Sequence, residues 1–296
     1  MATWEGKTRG GVAGYRFFIF LLQTAGLRFS YFFLNFVVVY FVLFAPKARN
    51  PILYYFRNIL NYNYFKSLRY TFKNFYRLGQ VLLDKVTLLA GLKHPFTFDF
   101  DGENYLHEMA ANEGGFLIGA HIGNWEIAGQ LLDRIDTKVH ILMVEAEHQK
   151  VKQLLDNVMT EKRMDIIAIK DDYSHLYEIR EALQKNEIIA LHGDRFIEGS
   201  KTLTGTLLGH PAEFPYGPFF LPVKYGKPVS FVSAIKETNT HYHFYATKPK
   251  LYTASRDKKS QEDKISEMLT AYTREMEGIL QLAPEQWFNY YYFWNR

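Results

Sequence analysis

The stretch FLIGAHIGNWEIAGQLLD, residues 116–133, sets the pattern by which the rest of the chain can be interpreted. Residues 116–119 are a short apolar run typical of a buried strand, and residues 125–133 have the spacing of a helix. Between them, Gly123 permits a sharp turn and Asn124 is a favourable N-cap for the helix that follows. The stretch therefore predicts a strand, a tight turn and a helix in immediate succession.

The same alternation of strand and helix continues along the chain. Further strands are predicted at residues 138–144, 165–169, 187–191, 229–236 and 241–247, and helices at 148–163, 174–185, 217–226 and 261–282. The polar segment 202–215 is punctuated by glycine and proline and predicts a loop or a hairpin. Strands separated by helices of this length favour right-handed crossovers. The predicted fold class is α/β, with a mainly parallel central sheet flanked by helices.

The composition limits the chemistry that the 296 residues can perform. Cysteine is absent, so disulfides and thiolate chemistry are excluded. The formal net charge is +4, which does not indicate a nucleic-acid binder. Aromatic residues make up 17% of the chain, and they suit both protein cores and membrane–water interfaces.

A long apolar segment lies near the N-terminus. Residues 17–45 contain one charged residue, Arg28, and the seventeen residues from 29 to 45 contain none. About 20 apolar residues are needed to span a hydrocarbon core. The segment is therefore expected to be embedded in a membrane, as a span, as a hairpin or as a helix lying partly in the bilayer. A buried core helix is the alternative, and a signal peptide is disfavoured because the apolar part is too long.

A basic stripe follows the apolar segment. Residues 50–80 contain no acidic residue, and steps of three and four place four basic residues on one helical face: Lys66, Arg69, Lys73 and Arg77. Beside aromatic bulk, such a stripe suits an anionic lipid surface or an acidic carrier protein. A solvated helix face is the alternative. We expect residues 1–80 to form a membrane-anchor and interfacial region, and residues 81–296 to form the α/β domain.

Polar clusters follow two of the predicted strands. His121 and Glu126 flank the first turn, and HGDR at 192–195 follows the strand at 187–191. In a parallel sheet both clusters lie at the same rim. An imidazole whose far nitrogen is held by a carboxylate can remove a proton from a bound hydroxyl near neutral pH. A structural role is also compatible with these residues, because a carboxylate in a first helical turn stabilises the helix.

Five blocks, in order along the chain, carry a family resemblance. They are the apolar segment, HIGNWE at 121–126, HGDR at 192–195, GHPAEFPYGPFFLPVKYGKPVSFV at 209–232 and APEQWFNYYYFW at 283–294. Together they resemble the lipid A biosynthesis (lauroyl/myristoyl) acyltransferases, a branch of the glycerolipid acyltransferase superfamily. The resemblance extends over nearly the whole chain.

The resemblance implies transfer of a fatty acyl chain from acyl carrier protein or acyl-coenzyme A to a hydroxyl or amine of a membrane lipid, with a lipid A precursor as one candidate acceptor. It implies no metal or redox cofactor, and no nucleic-acid partner. His121 is expected to act as general base with Glu126 as its partner, and Asn124, Asp194 and Arg195 are expected to bind substrate. Because the donors are cytoplasmic, the α/β domain is expected at the cytoplasmic face of a bacterial inner membrane.

Other functions remain open at the level of sequence. An acyl-thioester hydrolase of the same fold would use the same residues, with water in place of the acceptor. A non-catalytic lipid-binding protein is compatible with the apolar segment and the basic stripe.

Overall fold

The computed structural model describes residues 11–89, 91–125, 127, 137–144, 164–169, 172, 174–197 and 199–294. The helices with described bounds are α1 (Gly11–Phe44), α2 (Pro46–Tyr54), α3 (Tyr64–Leu89), α4 (Glu103–Asn112), α5 (His175–Gln184), α6 (Gly217–Tyr225) and α7 (Lys258–Leu282). A π-helical turn covers Tyr55–Ile59 and a 3-10 turn covers Pro284–Gln286. The strands are β1 (Thr97–Asp101), β2 (Gly115–Gly119), β3 (Val139–Val144), β4 (Met164–Ile169), β5 (Ile188–His192), β6 (Thr202–Leu207), β7 (His210–Pro215), β8 (Val229–Lys236) and β9 (His241–Ala246). The predicted helix at 148–163, and all of the one at 125–133 except residues 125 and 127, lie outside the described residues.

Among the described residues, seven strands form one sheet in the order β1-β9-β8-β2-β5-β3-β4. Its neighbouring strands are parallel except for β8 and β9, so the prediction of a mainly parallel sheet is confirmed. The polar segment 202–215 is the antiparallel hairpin β6–β7. The sequence pattern does not predict β1 or α4, which precede the first predicted strand.

The two faces of the sheet are covered differently. Phe116 and Ile118 of β2 are fully buried in the main core, together with Phe219 of α6 and Met268 of α7. Leu117 points to the opposite face, since side chains alternate along a strand, and joins a smaller cluster with α4. The thicker core therefore lies on the α6 and α7 side of the sheet.

Helix α1 is broken at Gly26, whose φ of 78° and ψ of 175° are not helical. The ring of Phe17 nevertheless lies 5.1 Å from the ring of Phe33. In a straight helix, residues so far apart in sequence would be separated by about 24 Å. The two legs of α1, residues 11–25 and 27–44, therefore fold back on each other as a hairpin.

The hairpin of α1 packs with one face and exposes the other. Leu34 and Val38 are buried against Phe75 and Leu83 of α3. Large apolar side chains on the outer face are exposed: Phe17, Phe20, Phe29, Phe32, Phe36, Val39, Tyr40, Leu43 and Phe44. By length and composition Arg16–Phe44 could cross a membrane, and only 22% of its most apolar window is buried. That small fraction does not fit an ordinary core helix.

Helix α3 connects this hairpin to the rest of the fold. It runs without interruption from residue 64 to residue 89 and so passes through residue 80, where the sequence pattern places a domain boundary. Its Asn74 donates hydrogen bonds to the carbonyl oxygens of Glu285 (3.0 Å) and Trp287 (2.8 Å). The division into two domains stays a prediction.

A buried polar network joins α1, α3 and the sheet. The carboxylate of Asp84 on α3 forms a salt bridge with Lys236 of β8, and both side chains are 0% exposed. The hydroxyls of Tyr31 on α1 and Tyr242 on β9 donate to the same carboxylate. Lys236 also donates to the carbonyl oxygen of Asn239 at 2.9 Å. These contacts fix the helical hairpin to two strands of the sheet.

Candidate functional site

His121 is presented by a local break in the pairing of β2 with β8. The parallel register pairs Ile118 with Phe231, and pairing resumes where Gly123 meets Ala234. The β2 side therefore contains two more residues between these pairs than the β8 side does. Gly123 has a φ of +65°, and a Cβ there would lie 1.8 Å from the carbonyl oxygen of Ala234. Only glycine fits this close approach. The extra residues, with His121 among them, bulge at the carboxyl end of β2.

The imidazole of His121 is held by the buried carboxylate of Asp194, two residues after the end of the neighbouring strand β5. Its Nδ1 lies 2.7 Å from Oδ1 of Asp194, and the side chains are 14% and 1% exposed, respectively. Oδ2 of Asp194 accepts hydrogen bonds from the backbone N–H of His121 at 3.0 Å and from Nε1 of Trp287 at 3.1 Å. We name His121 and Asp194 the dyad.

The electrostatics of the dyad keep Asp194 ionised. Burial raises the pKa of its carboxyl, but the charge and hydrogen bond of His121 and the charge of Arg195 outweigh burial, and the pKa falls below its usual value. A carboxylate can only accept hydrogen bonds, so Nδ1 of His121 is the donor. The lone pair of the neutral ring is then on Nε2, which is the arrangement that a general base requires.

The segment 284–294 forms hydrogen bonds with both residues of the dyad. Trp287 pairs with Ile122 in an antiparallel bridge, and the N–H of Phe288 donates to the carbonyl oxygen of His121 at 2.9 Å. The side chain of Gln286 bonds both backbone groups of Lys236, each at 2.9 Å. The sequence predicts this segment only through its family resemblance. The PEQW motif points to the segment, but the spacing of residues does not predict which side chain Trp287 contacts.

The predicted substrate-binding residues have contacts within the protein. Asn124 is fully buried; its Oδ1 accepts from the N–H of Ile127 and its Nδ2 donates to Tyr242, each at 3.2 Å. These are the contacts of a helix N-cap. Arg195 donates from Nη2 to the carbonyl oxygen of Phe288 at 2.5 Å, and its buried Nε has no partner among the described residues. Their roles towards substrate stay predictions.

Glu126, the predicted partner of His121, lies outside the described residues. Its role therefore stays a prediction. The sequence pattern does predict that the two polar clusters share a rim of the sheet. In the register of β2 with β5, Gly119 pairs with His192. His121 and Asp194 each follow two residues later, so they lie at the same rim.

An apolar cavity of about 950 Å³, which includes space open to solvent, lies next to the dyad on the α4 side of the sheet. Its lining includes Leu117, Ala190, Val232 and Phe244, with Trp125 and His192 at the end near the dyad. The ring of His192 is 4.3 Å from that of His121. The apolar lining of the cavity fits a hydrocarbon chain as its occupant.

The dyad and His192 also form a cluster of metal-ligating atoms. Three possible ligand atoms lie within 4.8 Å of one another, one each from His121, His192 and Asp194. Zinc would bind such atoms at about 2.0–2.2 Å. However, Nδ1 of His121 and Oδ1 of Asp194 already bond each other at 2.7 Å. The cluster fits a proton-transfer site better than a metal site, and the expectation of no metal cofactor stays a prediction.

The basic stripe lies on α3, as its spacing predicts. Lys66 lies 3.5 Å from the ring centre of Tyr62, and Lys73 lies 4.7 Å from that of Tyr70. Lys66 and Arg69 are exposed, whereas Arg77 is partly buried and donates to Gln80 at 2.9 Å. A surface for membrane or partner stays a prediction for these residues.

The fold is α/β, and a histidine–carboxylate dyad lies at the carboxyl ends of its parallel strands beside an apolar cavity. The family model described as "Bacterial lipid A biosynthesis acyltransferase" matches residues 73–295. The chain belongs to this family and is an acyltransferase of the lipid A biosynthesis type.

Comparison with solved structures gives a distant similarity. The chain is similar to the 1-acyl-sn-glycerophosphate (LPA) acyltransferase PlsC from Thermotoga maritima, with 13% identity and a TM-score of 0.39 over 85% of this chain and 98% of that chain. No curated protein matches the chain.

Proposed function

We propose that this protein moves a fatty acyl chain from acyl carrier protein or acyl-coenzyme A to a hydroxyl or amine of a membrane lipid, with His121 as general base. The observation that carries the proposal is the 2.7 Å contact between His121 and buried Asp194 beside the apolar cavity. Membership of the lipid A family supports a lipid acceptor, and a lipid A precursor is the first acceptor to test.

The proposed reaction needs only the dyad and the two substrates. Nε2 of His121 takes the proton of the acceptor hydroxyl as its oxygen attacks the carbonyl carbon of the acyl thioester. The resulting oxyanion collapses, the carbon–sulfur bond breaks, and the thiolate takes the proton from the imidazolium. The products are an ester and a free thiol. Asp194 orients the ring and stabilises the imidazolium while it exists.

Replacing His121 with alanine tests this function. We expect acyl transfer to fall by a factor on the order of 10² or more, because the proton of the acceptor then has no base. The measurement is transfer of a radiolabelled acyl group from acyl carrier protein to lipid extract, with His107→Ala on the surface of α4 as the matched control. Unchanged transfer by the His121→Ala protein would contradict the proposed mechanism. Equal thioester consumption with and without lipid acceptor would identify a hydrolase instead.

We propose further that the hairpin of α1 enters the bilayer from one side without crossing it. Its two legs fold back on each other, so both ends of the hairpin lie on the same side of the bilayer. One face of the leg formed by residues 27–44 packs on α3, so lipid can reach only the exposed apolar face. The basic stripe would then meet anionic headgroups. The α/β domain would lie at the cytoplasmic face of the inner membrane, where thioester donors are made.

The double substitution Phe32→Ser and Phe36→Ser tests this arrangement. Both rings are 59% exposed, so the fold should tolerate the change. Loss of two buried aromatic side chains in the bilayer should weaken binding to phosphatidylglycerol-containing vesicles by about tenfold or more. Co-sedimentation measures the effect, with Tyr177→Ser, a side chain 77% exposed on α5, as control. Equal binding by the two variants would show that the hairpin does not enter lipid.

A further inference from the structure

His192 lies between the dyad and the apolar cavity. It ends β5 opposite Gly119, and its ring is 4.3 Å from the ring of His121 and 4.7 Å from that of Trp125. The imidazole lies over Gly119: a Cβ at that position would be in van der Waals contact with Nδ1 of His192, at 3.5 Å. An acyl chain in the cavity would bring its carbonyl group to His192 as it approaches the dyad.

The contacts of His192 within the protein leave one of its polar atoms unsatisfied. Its Nδ1 is buried and has no hydrogen-bond partner within the described part of the chain. An unsatisfied buried polar atom destabilises a fold, and an apolar ring at the same position would remove that penalty. Burial, followed by the neighbouring charge of His121, lowers the pKa of His192 to about 3, against a smaller opposing effect of a backbone hydrogen bond with Gly119. The ring is therefore neutral near pH 7 and carries one N–H.

We propose that His192 is a second catalytic residue, which donates a hydrogen bond to the carbonyl oxygen of the acyl thioester. The inference rests on the proposed function. Negative charge develops on that oxygen when the acceptor attacks, and a fixed donor in an apolar setting stabilises the charge. A neutral imidazole is well suited to this task because it donates without competing for the proton that His121 transfers.

Three substitutions test the donor. His192→Phe keeps a planar ring without an N–H, and His192→Asn and His192→Gln place an N–H near the positions of Nδ1 and Nε2. We expect kcat to fall by about 10²-fold in the phenylalanine variant, the usual effect of removing one such donor. At least one amide variant should stay within about tenfold of the wild type. The melting temperature of the phenylalanine variant should not fall.

The results separate this inference from the proposed function. Wild-type kcat in His192→Phe, while His121→Ala is inactive, would overturn the inference alone. A fall in melting temperature that parallels the loss of activity in all three variants would assign His192 a structural role instead. Inactivity of both stable amide variants would also overturn it, because the N–H would not be the group that matters. Retained transfer by His121→Ala would overturn the proposed function itself.

Discussion

Replacing Asp194 with asparagine is expected to lower acyl transfer by about 10⁴-fold, the effect of placing a catalytic histidine in the wrong tautomer. Oδ2 of Asp194 accepts from two N–H groups, those of His121 and Trp287. An asparagine amide would keep its oxygen towards these two donors and turn its NH₂ towards Nδ1 of His121. The imidazole proton would then move to Nε2, and the base would have no lone pair for the acceptor. Single-turnover transfer from acyl carrier protein measures the effect.

The matching variant is Glu126→Gln, since the sequence pattern names Glu126 as the partner of His121. If Asp194 is the orienting carboxylate, Glu126→Gln should reduce transfer far less than Asp194→Asn does. The opposite order of the two effects would return the role to Glu126 and leave Asp194 as a structural acceptor.

Replacing Lys236 with methionine is expected to lower the free energy of unfolding by about 3–5 kcal/mol, because it leaves a buried carboxylate without its cation. Burial raises the pKa of Asp84 and lowers that of Lys236, and the attraction between the two groups opposes both shifts. Without the lysine, Asp84 must take up a proton or remain as an uncompensated charge. Urea unfolding in detergent micelles, followed by tryptophan fluorescence, measures the loss.

Two further variants show whether the loss comes from the unpaired charge. Lys185→Met, at the C-cap of α5, removes an exposed lysine from an ion pair with Glu181 and should leave stability essentially unchanged. The double variant Asp84→Leu with Lys236→Met should recover much of the stability, because no buried charge remains. A double variant as unstable as Lys236→Met would indicate that packing, and not the carboxylate, causes the loss.

The sequence predicts the rim of the site, and the structure adds to it the contact between His121 and Asp194. A parallel sheet brings His121 and Asp194 to one edge, and that much follows from strands and helices in alternation. Which carboxylate bonds the imidazole depends on the register of β2 and β5, a tertiary property that spacing along the chain does not contain. Glu126 is near His121 in sequence, whereas Asp194 is 73 residues away and bonds it at 2.7 Å.

Other features of the fold depend on contacts between distant residues. Hydropathy identifies residues 17–45 as apolar, but a single glycine within a helical pattern is often tolerated, so the sequence left the hairpin as one of three membrane arrangements. Trp287 and Gln286 act through contacts with residues more than 40 positions away, and no local pattern reports such contacts. The network around Asp84 was missed for the same reason.

The bracing of His121 by residues 284–294 has a consequence for biosynthesis. The strand, the turn and the imidazole at 115–121 leave the ribosome long before Trp287 is translated, so a nascent chain can fold much of its sheet without a finished dyad. On the proposed function, His121 would therefore gain full catalytic competence only after residues 284–294 have reached it.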